Sequence, residues 1–463
     1  MMLGHTIIVI GGGIVGAFAA LRARELKPTS RIILVEQDDE LGGLLRSDPH
    51  SNGLNFDRGA HTLSQTGVST IDKLLFDDLS EIDWKRFGGT DRDLAGIIFK
   101  DILQENSPFL PAPKRMIDQW LVNQSTSNNI SAVTPKNLFM KLVELYGHEV
   151  TNSVFRTPVR NLYRAELEEL DAFVAKQLPL SRIITDNMET WLSRQEDATY
   201  RSIVACPEQR CLPCAYTSPL LALYPRRMGI GKLFTHLAAK LATANVELWL
   251  SAQITGSRHS PEKVEAIQIS SAEHQETIDG SLDLIWAVSS FQLLKLLDLP
   301  KPKSIIKPCW SNIMVDFCAR LTRPISCYYY VDYDHNDSFR LTNYSALCEQ
   351  AAEYHFSPFT YEFWCRGGEI GETEARQFIV DRFTALGLIE NESAVKDVRL
   401  RFLAQGAPPP TVTNMRALAD VADRVASGAP SNVLNIGLLN RPDLLFTSDL
   451  LRNTEIRLTE LWG

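Results

Sequence analysis

Three closely spaced glycines near the amino terminus form the pattern that most directly indicates chemistry. Gly11, Gly13 and Gly16 satisfy G-x-G-x-x-G, and Ile14 and Val15 fill the two positions before the last glycine. Such a turn lets a pyrophosphate approach the backbone, and the helix after it presents unpaired N–H groups and the positive end of its dipole. The turn therefore predicts a dinucleotide site, although glycine-rich turns also occur where a chain merely bends.

The residues around the glycines predict the elements that would position them. A β-branched run at 6–10 predicts a strand, an apolar helical period predicts a helix over 14–26, and a second apolar run predicts a strand over 31–36. Glu36 ends that strand 20 residues after the last glycine of the turn. A carboxylate there accepts hydrogen bonds from ribose hydroxyls and repels a 2′-phosphate, so NAD or FAD is favoured over NADP.

Composition excludes several broad classes of protein. The 463 residues include 47 Lys plus Arg and 56 Asp plus Glu, a net charge of −9, so neither a nucleic-acid partner nor an anionic membrane surface is expected. Hydrophobic residues make up 44% of the chain, as in globular proteins. The apolar stretch at 7–20 is broken by glycines and is too short to span a bilayer, and no basic leader precedes it. We therefore expect a cytoplasmic protein with no integral membrane segment.

One cysteine cluster has the residue types of a metal site. Cys206, Cys211 and Cys214 form C-x4-C-x2-C, to which His236 could add a fourth ligand. The chain has no second C-x-x-C, and a proline interrupts the run. Free thiols are therefore expected, and no metal.

The remaining sequence predicts alternating helical and β-rich regions. From about 69 to 223 the pattern indicates long helices without strong β runs, one of them starting at Thr134-Pro135. Strands and a helix are expected over 228–288, a β-rich block over 313–364, and a helix, a strand and a terminal helix from about Asn453 after the prolines at 408–410.

Two further glycine-bearing segments distinguish FAD from NAD. Gly42, Gly43 and Leu44 directly follow the second strand, and a second segment follows with Gly59, Ala60, His61 and Thr62. A plain NAD dehydrogenase needs no such turns, whereas FAD must run its ribityl chain and isoalloxazine along additional backbone. With these motifs the sequence resembles the FAD-dependent amine oxidase superfamily, and its protoporphyrinogen-oxidase-like and UDP-galactopyranose-mutase-like branches look closest.

The resemblance implies an α/β fold in which a glutathione-reductase-like, Rossmann-type FAD-binding domain is interleaved with an α+β substrate domain. Segments 1–68, 224–300 and 411–463 would form the FAD domain. A mostly helical segment, 69–223, and a β-rich segment, 301–410, would form the substrate domain.

The resemblance also implies positions for parts of the cofactor. Gly42 and Gly43, with Leu44, would pass near the phosphates, and Gln37 would follow the ribose-binding Glu36. The segment from Gly59 to Thr62 would lie beside the flavin ring. Ile254 would contact the adenine side through its backbone, and Gly437 and the helix start near Leu450 would face the flavin.

The sequence departs from the family at three places. Many amine oxidases carry a lysine near flavin N5 on the strand aligned with 311–317, where this chain has Asn312. The position after Gly437 is Leu438, where the family often has Asp or Arg. No second G-x-G-x-x-G is present, since Gly229-Ile230-Gly231 opens a helix without a preceding parallel strand, so a separate NAD(P)H domain is not expected.

Three side chains are candidates for the reaction itself. His61 is a candidate for proton transfer. Arg340 is a candidate for binding a carboxylate or pyrophosphate, because a guanidinium fork fits both, and Arg226 and Arg227 share that chemistry. Tyr328 is a candidate for shaping the flavin pocket, with core packing as the plainer explanation.

The expected function is FAD-dependent oxidation, with hydride transfer from a small-molecule substrate to flavin N5. Redox-neutral flavin chemistry on a nucleotide sugar is an alternative. A non-catalytic protein that keeps the fold and has lost the flavin is a further one. A homodimer is compatible with the sequence.

Overall fold

The computed structural model describes residues 5–59, 61–126, 134–176, 180–271, 275–302, 311–335, 338–365, 370–403, 408–437, 444 and 446–463. The strands in these ranges are β1 (Thr6–Ile10), β2 (Arg31–Val35), β3 (Ser47–Pro49), β4 (Asn55–Asp57), β5 (Leu63–Ser64), β6 (Trp84–Phe87), β7 (Ala95–Phe99), β8 (Ile102–Gln104), β9 (Leu110–Pro111), β10 (Ile183–Ile184), β11 (Ala222–Pro225), β12 (Val246–Trp249), β13 (Ala252–His259), β14 (Val264–Ser271), β15 (Gln275–Asp279), β16 (Leu282–Trp286), β17 (Ser311–Ala319), β18 (Tyr329–Asp332), β19 (Ser338–Asn343), β20 (Ser357–Cys365), β21 (Val395–Leu403) and β22 (Val433–Asn435).

The α-helices in the same ranges are α1 (Ile14–Leu26), α2 (Ser69–Leu75), α3 (Lys114–Thr126), α4 (Leu138–Val150), α5 (Arg156–Tyr163), α6 (Met188–Ser193), α7 (Ala198–Ile203), α8 (Lys232–Thr243), α9 (Ser290–Leu296), α10 (Tyr344–Leu347), α11 (Glu349–Ala352), α12 (Glu372–Ala385), α13 (Val412–Gly428) and α14 (Thr447–Trp462). The chain divides into two compact units, each built from separated segments. Unit 1 comprises Met1–Lys85, Gly229–Ile305 and Arg416–Gly463, and unit 2 comprises Arg86–Met228 and Ile306–Met415.

Unit 1 contains a parallel sheet in the order β12-β2-β1-β16-β22. Strand β1 pairs in register with β2 on one side and with β16 on the other. All five residues of β1 are buried, which explains why its sequence is a continuous run of β-branched residues. The predicted strand, turn and helix at 6–26 are confirmed, with α1 beginning and ending where the apolar period does.

The carboxyl-terminal helix of unit 1 starts earlier than the sequence suggested. Helix α14 begins at Thr447, and the prediction of a start near Asn453 is wrong. The backbone N–H of Phe446 donates to the Asp449 carboxylate, which stabilises this earlier start. The helix is tied to α1 by two hydrogen bonds of 3.0 and 2.9 Å from the Arg22 guanidinium to Glu455.

Unit 2 contains a mixed sheet in the order β21-β17-β20-β19-β18-β7-β8. One face forms a hydrophobic core with α12, through Ala375, Ile379 and Phe383. A second core joins Val331 and Tyr333 to the helices of the first segment of this unit. Unit 2 therefore combines a sheet with helices, as the α+β expectation required.

Two strands of this sheet come from the region that was predicted to form long helices without strong β runs. Ala95–Phe99 and Ile102–Gln104 form a hairpin, so that prediction is wrong here. The turn between them consists of Lys100 and Asp101, both with a φ of 54°, instead of the Asn-Gly that marks such turns. Their N–H groups donate to the Asp334 carboxylate at 2.5 and 2.9 Å. A residue more than 230 positions away thus stabilises the turn. The sequence near the turn contains no pattern that predicts this interaction.

The helical part of unit 2 also differs from the prediction in detail. Helix α4 begins at Leu138 and is capped by Asn137, whose side chain accepts from the Met140 N–H at 2.9 Å. The predicted start at Thr134-Pro135 is therefore wrong by three residues, because Asn137 is an equally good cap nearer the apolar face. Within the region predicted to contain long helices, Ala172–Lys176 forms only a short 3-10 turn.

Asp186 connects three elements of this helical part. Its interactions predict that the protein becomes less stable at acidic pH. Its carboxylate accepts from the Tyr200 and Thr185 hydroxyls, each at 2.8 Å, and pairs with Lys114. Burial raises its pKa, but the hydrogen bonds from Lys114, Tyr200 and Thr185 outweigh burial, so the pKa lies below the ordinary 3.8. The resulting stabilisation is complete above pH 3.8 and is lost as the pH falls through the lowered folded-state pKa.

We therefore expect Asp186→Asn to lower the free energy of unfolding by about 1.5–3 kcal/mol at pH 7. Urea titrations at pH 7 and pH 3 should show a smaller loss on acidification for this variant than for the wild type. An equal acid-induced loss in both proteins would show that Asp186 is not the group responsible. Glu189→Gln, an exposed position in the first turn of α6, is the matched amide control and should leave both values unchanged.

Candidate functional site: a glycine elbow in unit 1

The predicted glycine turn lies between β1 and α1, at the carboxyl edge of the parallel sheet. The Gly11 N–H donates to the Val35 carbonyl at 2.8 Å, which joins the ends of the two adjacent strands. A β-carbon placed on Gly16 would lie 1.8 Å from the Gly11 carbonyl oxygen, so only glycine lets the helix pack this closely on the strand. A β-carbon placed on Gly13 would meet nothing within 4 Å. In this glycine turn, which we call the elbow (residues 11–16), the backbone is closely packed at Gly16 and has free space beside it at Gly13.

Glu36 is fixed beside this open position. Its two carboxylate oxygens accept from the Gly12 N–H at 2.6 Å and the Asp38 N–H at 3.0 Å. The residue is only 8% exposed. A buried carboxylate whose direction is set by two backbone donors still has lone pairs for the hydroxyls of a ribose. Gln37, the next predicted contact, is exposed.

The glycine doublet Gly42-Gly43 lies against the elbow. The Gly42 N–H donates to the Gly12 carbonyl at 3.0 Å, and a β-carbon on Gly43 would lie 3.7 Å from the α-carbon of Gly13. Leu44 follows in a short 3-10 turn and is 58% exposed. Backbone from two separated segments therefore surrounds the open side of Gly13.

A polar cavity lies on the other side of the acidic residue. The Ala252 and Ser251 N–H groups donate to the carbonyls of Glu36 and Asp38 at 2.9 and 2.8 Å, which brings the start of β13 against the end of β2. The cavity beside them has a volume of about 350 Å³ and is lined by Gln37, Ser251, Ala252, Gln253, Ser270 and Ser271. Ile254 lies two residues farther along β13 and is half-buried. The cavity therefore lies next to the end of β2 that carries Glu36.

Gly437 approaches the same part of the sheet from the last segment. A β-carbon there would lie 1.9 Å from the Val288 carbonyl oxygen, and one on Gly11 would lie 2.5 Å from the Val288 side chain. Val288 thus contacts the first glycine of the elbow and Gly437 together. Leu450 is buried in α14, four residues into the helix. Leu438, the predicted departure after Gly437, lies outside the described residues, as does Ala60.

The second glycine segment contains Gly59, His61 and Thr62. Gly59 has a φ of 134° and is buried, while His61 and Thr62 are half-buried. The His61 Nε2 lies 3.2 Å from the Arg58 carbonyl oxygen. This contact orients the imidazole ring toward the backbone of its own turn. A role of His61 in proton transfer stays a prediction.

Sequence reasoning missed two side chains that organise the site. Asp57, fully buried, accepts from the Ser47 hydroxyl and the Ile230 N–H, both at 2.7 Å, and Ser47 accepts from the Gly231 N–H at 2.9 Å. Together they hold the start of α8 against the β3–β4 hairpin. The sequence around Asp57 is mostly polar and gives no signal of its burial, because its partner Ile230 lies 173 residues away.

The remaining candidates lie in unit 2. The Arg340 guanidinium donates from Nε and Nη2 to the buried Glu362 carboxylate at 2.7 and 2.9 Å. Burial lowers the Arg340 pKa, yet the Glu362 charge more than offsets this and raises it. The Tyr328 hydroxyl donates to the Arg92 carbonyl at 2.7 Å, and burial holds its pKa well above 10. Arg226 pairs with Glu349, and Arg227 is exposed.

The cysteine cluster consists of free thiols. Cys211 and Cys214 are exposed, and the Cys206 sulfur lies 3.7 Å from the Met188 sulfur. Across the residues whose structure is described, no three His, Cys, Asp or Glu side chains are grouped so that they could hold a metal ion. None of the helices in those parts of the chain combines the length and apolar composition needed to cross a bilayer.

Residues 9–79 match a family described as an NAD(P)-binding Rossmann-like domain. No curated protein sequence is significantly similar to the chain. The fold, however, is shared with solved structures over nearly the whole length. A reduced UDP-galactopyranose mutase superposes with a TM-score of 0.67 at 14% identity, covering 99% of this chain and 95% of that one.

Two amine oxidases have the same fold at similar distance. Cyclohexylamine oxidase from Brevibacterium oxydans IH-35A has a TM-score of 0.56 at 14% identity, covering 99% of this chain and 98% of its own. A putrescine oxidase redesigned in its cofactor binding has a TM-score of 0.60 at 12% identity, with coverage of 99% and 98%. These matches confirm the predicted fold class and the predicted resemblance at the level of the fold.

Proposed function

Since the chain has the fold of the FAD-dependent amine oxidase superfamily, we propose that it is an FAD-dependent oxidoreductase acting on a small molecule. The observation that carries this proposal is the open position at Gly13 beside a buried, backbone-held Glu36. A turn with only a structural role would need neither the open position at Gly13 nor the buried carboxylate of Glu36. We further propose that segments 1–68, 224–300 and 411–463 bind FAD, and that 69–223 and 301–410 bind the substrate.

The residues present fit FAD in three respects. The N–H groups at the start of α1 and the bare backbone at Gly13 suit a pyrophosphate. Glu36 suits the ribose hydroxyls and disfavours a 2′-phosphate. The cavity lined by Gln37 and Gln253 suits a purine, because amide side chains both donate and accept hydrogen bonds.

Bound FAD would supply the electron acceptor for a hydride from a substrate carbon. The chain's own contribution is binding and orientation. Gly16 and Gly437 let the backbone approach closely enough to form the site, and Glu36 fixes the nucleotide end. The proposed substrate segments would hold the reacting C–H bond in place and exclude water.

A redox-neutral reaction is the second candidate, because a UDP-galactopyranose mutase has the same fold. The two candidates differ in electron balance. An oxidase consumes an acceptor for each product formed, whereas a mutase needs prereduced flavin and no net electron supply.

Purification followed by absorbance spectroscopy tests the proposal directly. We expect a yellow protein, or a colourless one that gains flavin absorbance on titration with FAD, and no comparable binding of NADP. The yellow protein should then bleach on anaerobic mixing with one class among amines, porphyrinogens and nucleotide sugars. A correctly folded protein that takes up no FAD would refute the proposal and favour the flavin-less alternative.

A further inference from the structure

The loop that follows β2 is strongly acidic and continues from the residue proposed to bind the ribose. Glu36 is followed after one residue by Asp38, Asp39 and Glu40, so four of five consecutive side chains are carboxylates. A dinucleotide brings the negative charges of its pyrophosphate to the elbow, and like charges at short range repel one another. The loop therefore opposes the ligand that the elbow is proposed to bind, unless a cation offsets its charge.

Both ends of this segment, residues 36–42, are bound to Gly12, and we call it the acidic loop. At one end the Gly12 N–H donates to the Glu36 carboxylate at 2.6 Å. At the other end the Gly42 N–H donates to the Gly12 carbonyl at 3.0 Å. Between them, the Asp38 N–H donates to the second oxygen of Glu36 at 3.0 Å. The backbone of the acidic loop thus lies directly against the elbow.

The Arg46 guanidinium pairs with all three acids that follow Glu36. Its Nη1 donates to the Asp38 carboxylate at 2.8 Å. Its Nη2 lies 2.5 Å from a Glu40 oxygen and 3.6 Å from an Asp39 oxygen. Burial lowers the Arg46 pKa, but hydrogen bonding and charge from Glu40, with the charges of Asp38 and Asp39, outweigh burial and raise it. Arg46 thus carries a permanent positive charge that is less exposed than the acids it pairs with.

The rest of Arg46 contacts the two other glycine-bearing segments of the site. A β-carbon placed on Gly42 would lie 2.7 Å from the Arg46 Cγ, so the arginine stem packs on the glycine doublet. The Arg46 carbonyl accepts from the Arg58 N–H at 3.1 Å, at the start of the segment that leads to His61. The Arg58 guanidinium pairs with Asp48, which lies outside the acidic loop. Arg46 therefore joins the acidic loop, the doublet and the second glycine segment.

We infer that Arg46 is a positioning residue of the nucleotide site, which holds the acidic loop through Asp38 and offsets enough of its charge for a pyrophosphate to bind at the elbow. The effect is exerted through the loop. The hydrogen bond from Arg46 holds Asp38, whose N–H in turn sets the direction of the Glu36 carboxylate. This inference rests on the proposed function for the identity of the dinucleotide, and the binding it describes is measurable without turnover.

Titration of the flavin-free, full-length protein with FAD at two salt concentrations tests the inference. We expect Arg46→Met to raise the dissociation constant at least about tenfold over the wild type at about 0.01 M salt, because a partly buried charge acts at an effective dielectric constant near about 20. At about 1 M salt the Debye length falls from about 30 Å to about 3 Å, so this ratio should fall to about threefold or less.

Arg46→Lys keeps the positive charge and should stay within about threefold of the wild type at low salt. A ratio for Arg46→Met that is the same at both salt concentrations would overturn the inference. So would a lysine variant that binds FAD as weakly as the methionine variant, because a purely structural contact would then explain both losses.

Glu40→Gln is a second variant, for which the inference predicts tighter binding. The Glu40 side chain is 58% exposed, so the variant should fold normally, and the hydrogen bond between Arg46 and Asp38 stays in place. Because one negative charge is gone, FAD should bind at least about twofold more tightly at low salt. Combining Glu40→Gln with Arg46→Met should recover most of the affinity that Arg46→Met loses. Unchanged or weaker binding in Glu40→Gln would overturn the inference.

Arg22→Met is the matched control, because the Arg22 side chain has the same 14% exposure and also pairs with carboxylates, Glu25 and Glu455. Its bonds to Glu455 tie α1 to α14 and do not involve the acidic loop. This variant should lower the melting temperature and change the FAD dissociation constant by less than about twofold. An increase equal to that in Arg46→Met would overturn the inference.

Failure of the proposed function is distinguishable from failure of this inference. A wild-type protein that takes up no FAD refutes the proposed function. A wild type that binds FAD, with an Arg46→Met variant that binds it equally well, refutes only the role of Arg46.

Discussion

A Gly13→Ala variant is expected to fold with at most about 1 kcal/mol less unfolding free energy, because alanine caps α1 less well than glycine, and to lose most of its affinity for FAD. The backbone at Gly13 has φ −69° and ψ 177°, which any residue adopts, and a β-carbon there meets nothing within 4 Å. The methyl group would instead occupy the space proposed for the pyrophosphate. Crowding of this size is worth about 1–3 kcal/mol, or roughly a 5- to 150-fold increase in the dissociation constant.

Flavin fluorescence titration of the refolded apoprotein measures this increase, and a thermal melt of the apoprotein checks stability. Wild-type affinity in Gly13→Ala would place the pyrophosphate elsewhere and refute the proposed mode of binding. An apoprotein destabilised by more than the roughly 1 kcal/mol expected from the poorer helix cap would mean that the open side of Gly13 is filled by the protein itself.

Gly16→Ala is the matched control because it makes the same chemical change three residues away. Its β-carbon would lie 1.8 Å from the Gly11 carbonyl oxygen, so α1 must move off the sheet. We expect a loss of about 3 kcal/mol or more in unfolding free energy of the apoprotein, beyond any effect on flavin. The two glycines of one motif therefore separate into a binding role and a packing role.

The elbow could be predicted from sequence because its determinants are local. Strand, turn and helix follow one another within 26 residues, and the apolar period of α1 is uninterrupted. Glu36 was found for the same reason, since a fixed length of helix and strand separates it from the glycines. What the sequence could not show is that Glu36 is already held by the Gly12 N–H, a contact that only the folded turn creates.

The features missed by sequence reasoning all depend on distant partners. The hairpin formed by β7 and β8 has no glycine in its turn because Asp334 supplies the stabilisation. The sequence around Asp57 is typical of a surface residue. Its burial depends on the hydrogen bonds that Ile230 and Ser47 donate to it in the folded protein. Arg340 was recognised as a candidate anion-binding residue, but its fixed geometry comes from Glu362, which no local pattern paired with it.

Asp316→Leu is expected to destabilise unit 2 by about 3–5 kcal/mol. The Asp316 carboxylate accepts from Arg401 Nε and Nη2 at 2.5 and 2.7 Å and from the Thr360 hydroxyl at 2.7 Å. Both members of the ion pair are nearly fully buried. Removing only the aspartate leaves a guanidinium buried without its counter-charge, and that desolvation accounts for most of the loss.

The double variant Asp316→Leu with Arg401→Met should recover most of this loss, because two apolar side chains of similar volume replace a buried pair at little net change in stability. Urea denaturation of the wild type, both single variants and the double variant gives the coupling energy. Arg160→Met, which removes one partner of the exposed Arg160–Glu166 pair, is the control and should change stability by less than about 1 kcal/mol. Additive losses in the double variant would show that the two charges do not stabilise each other.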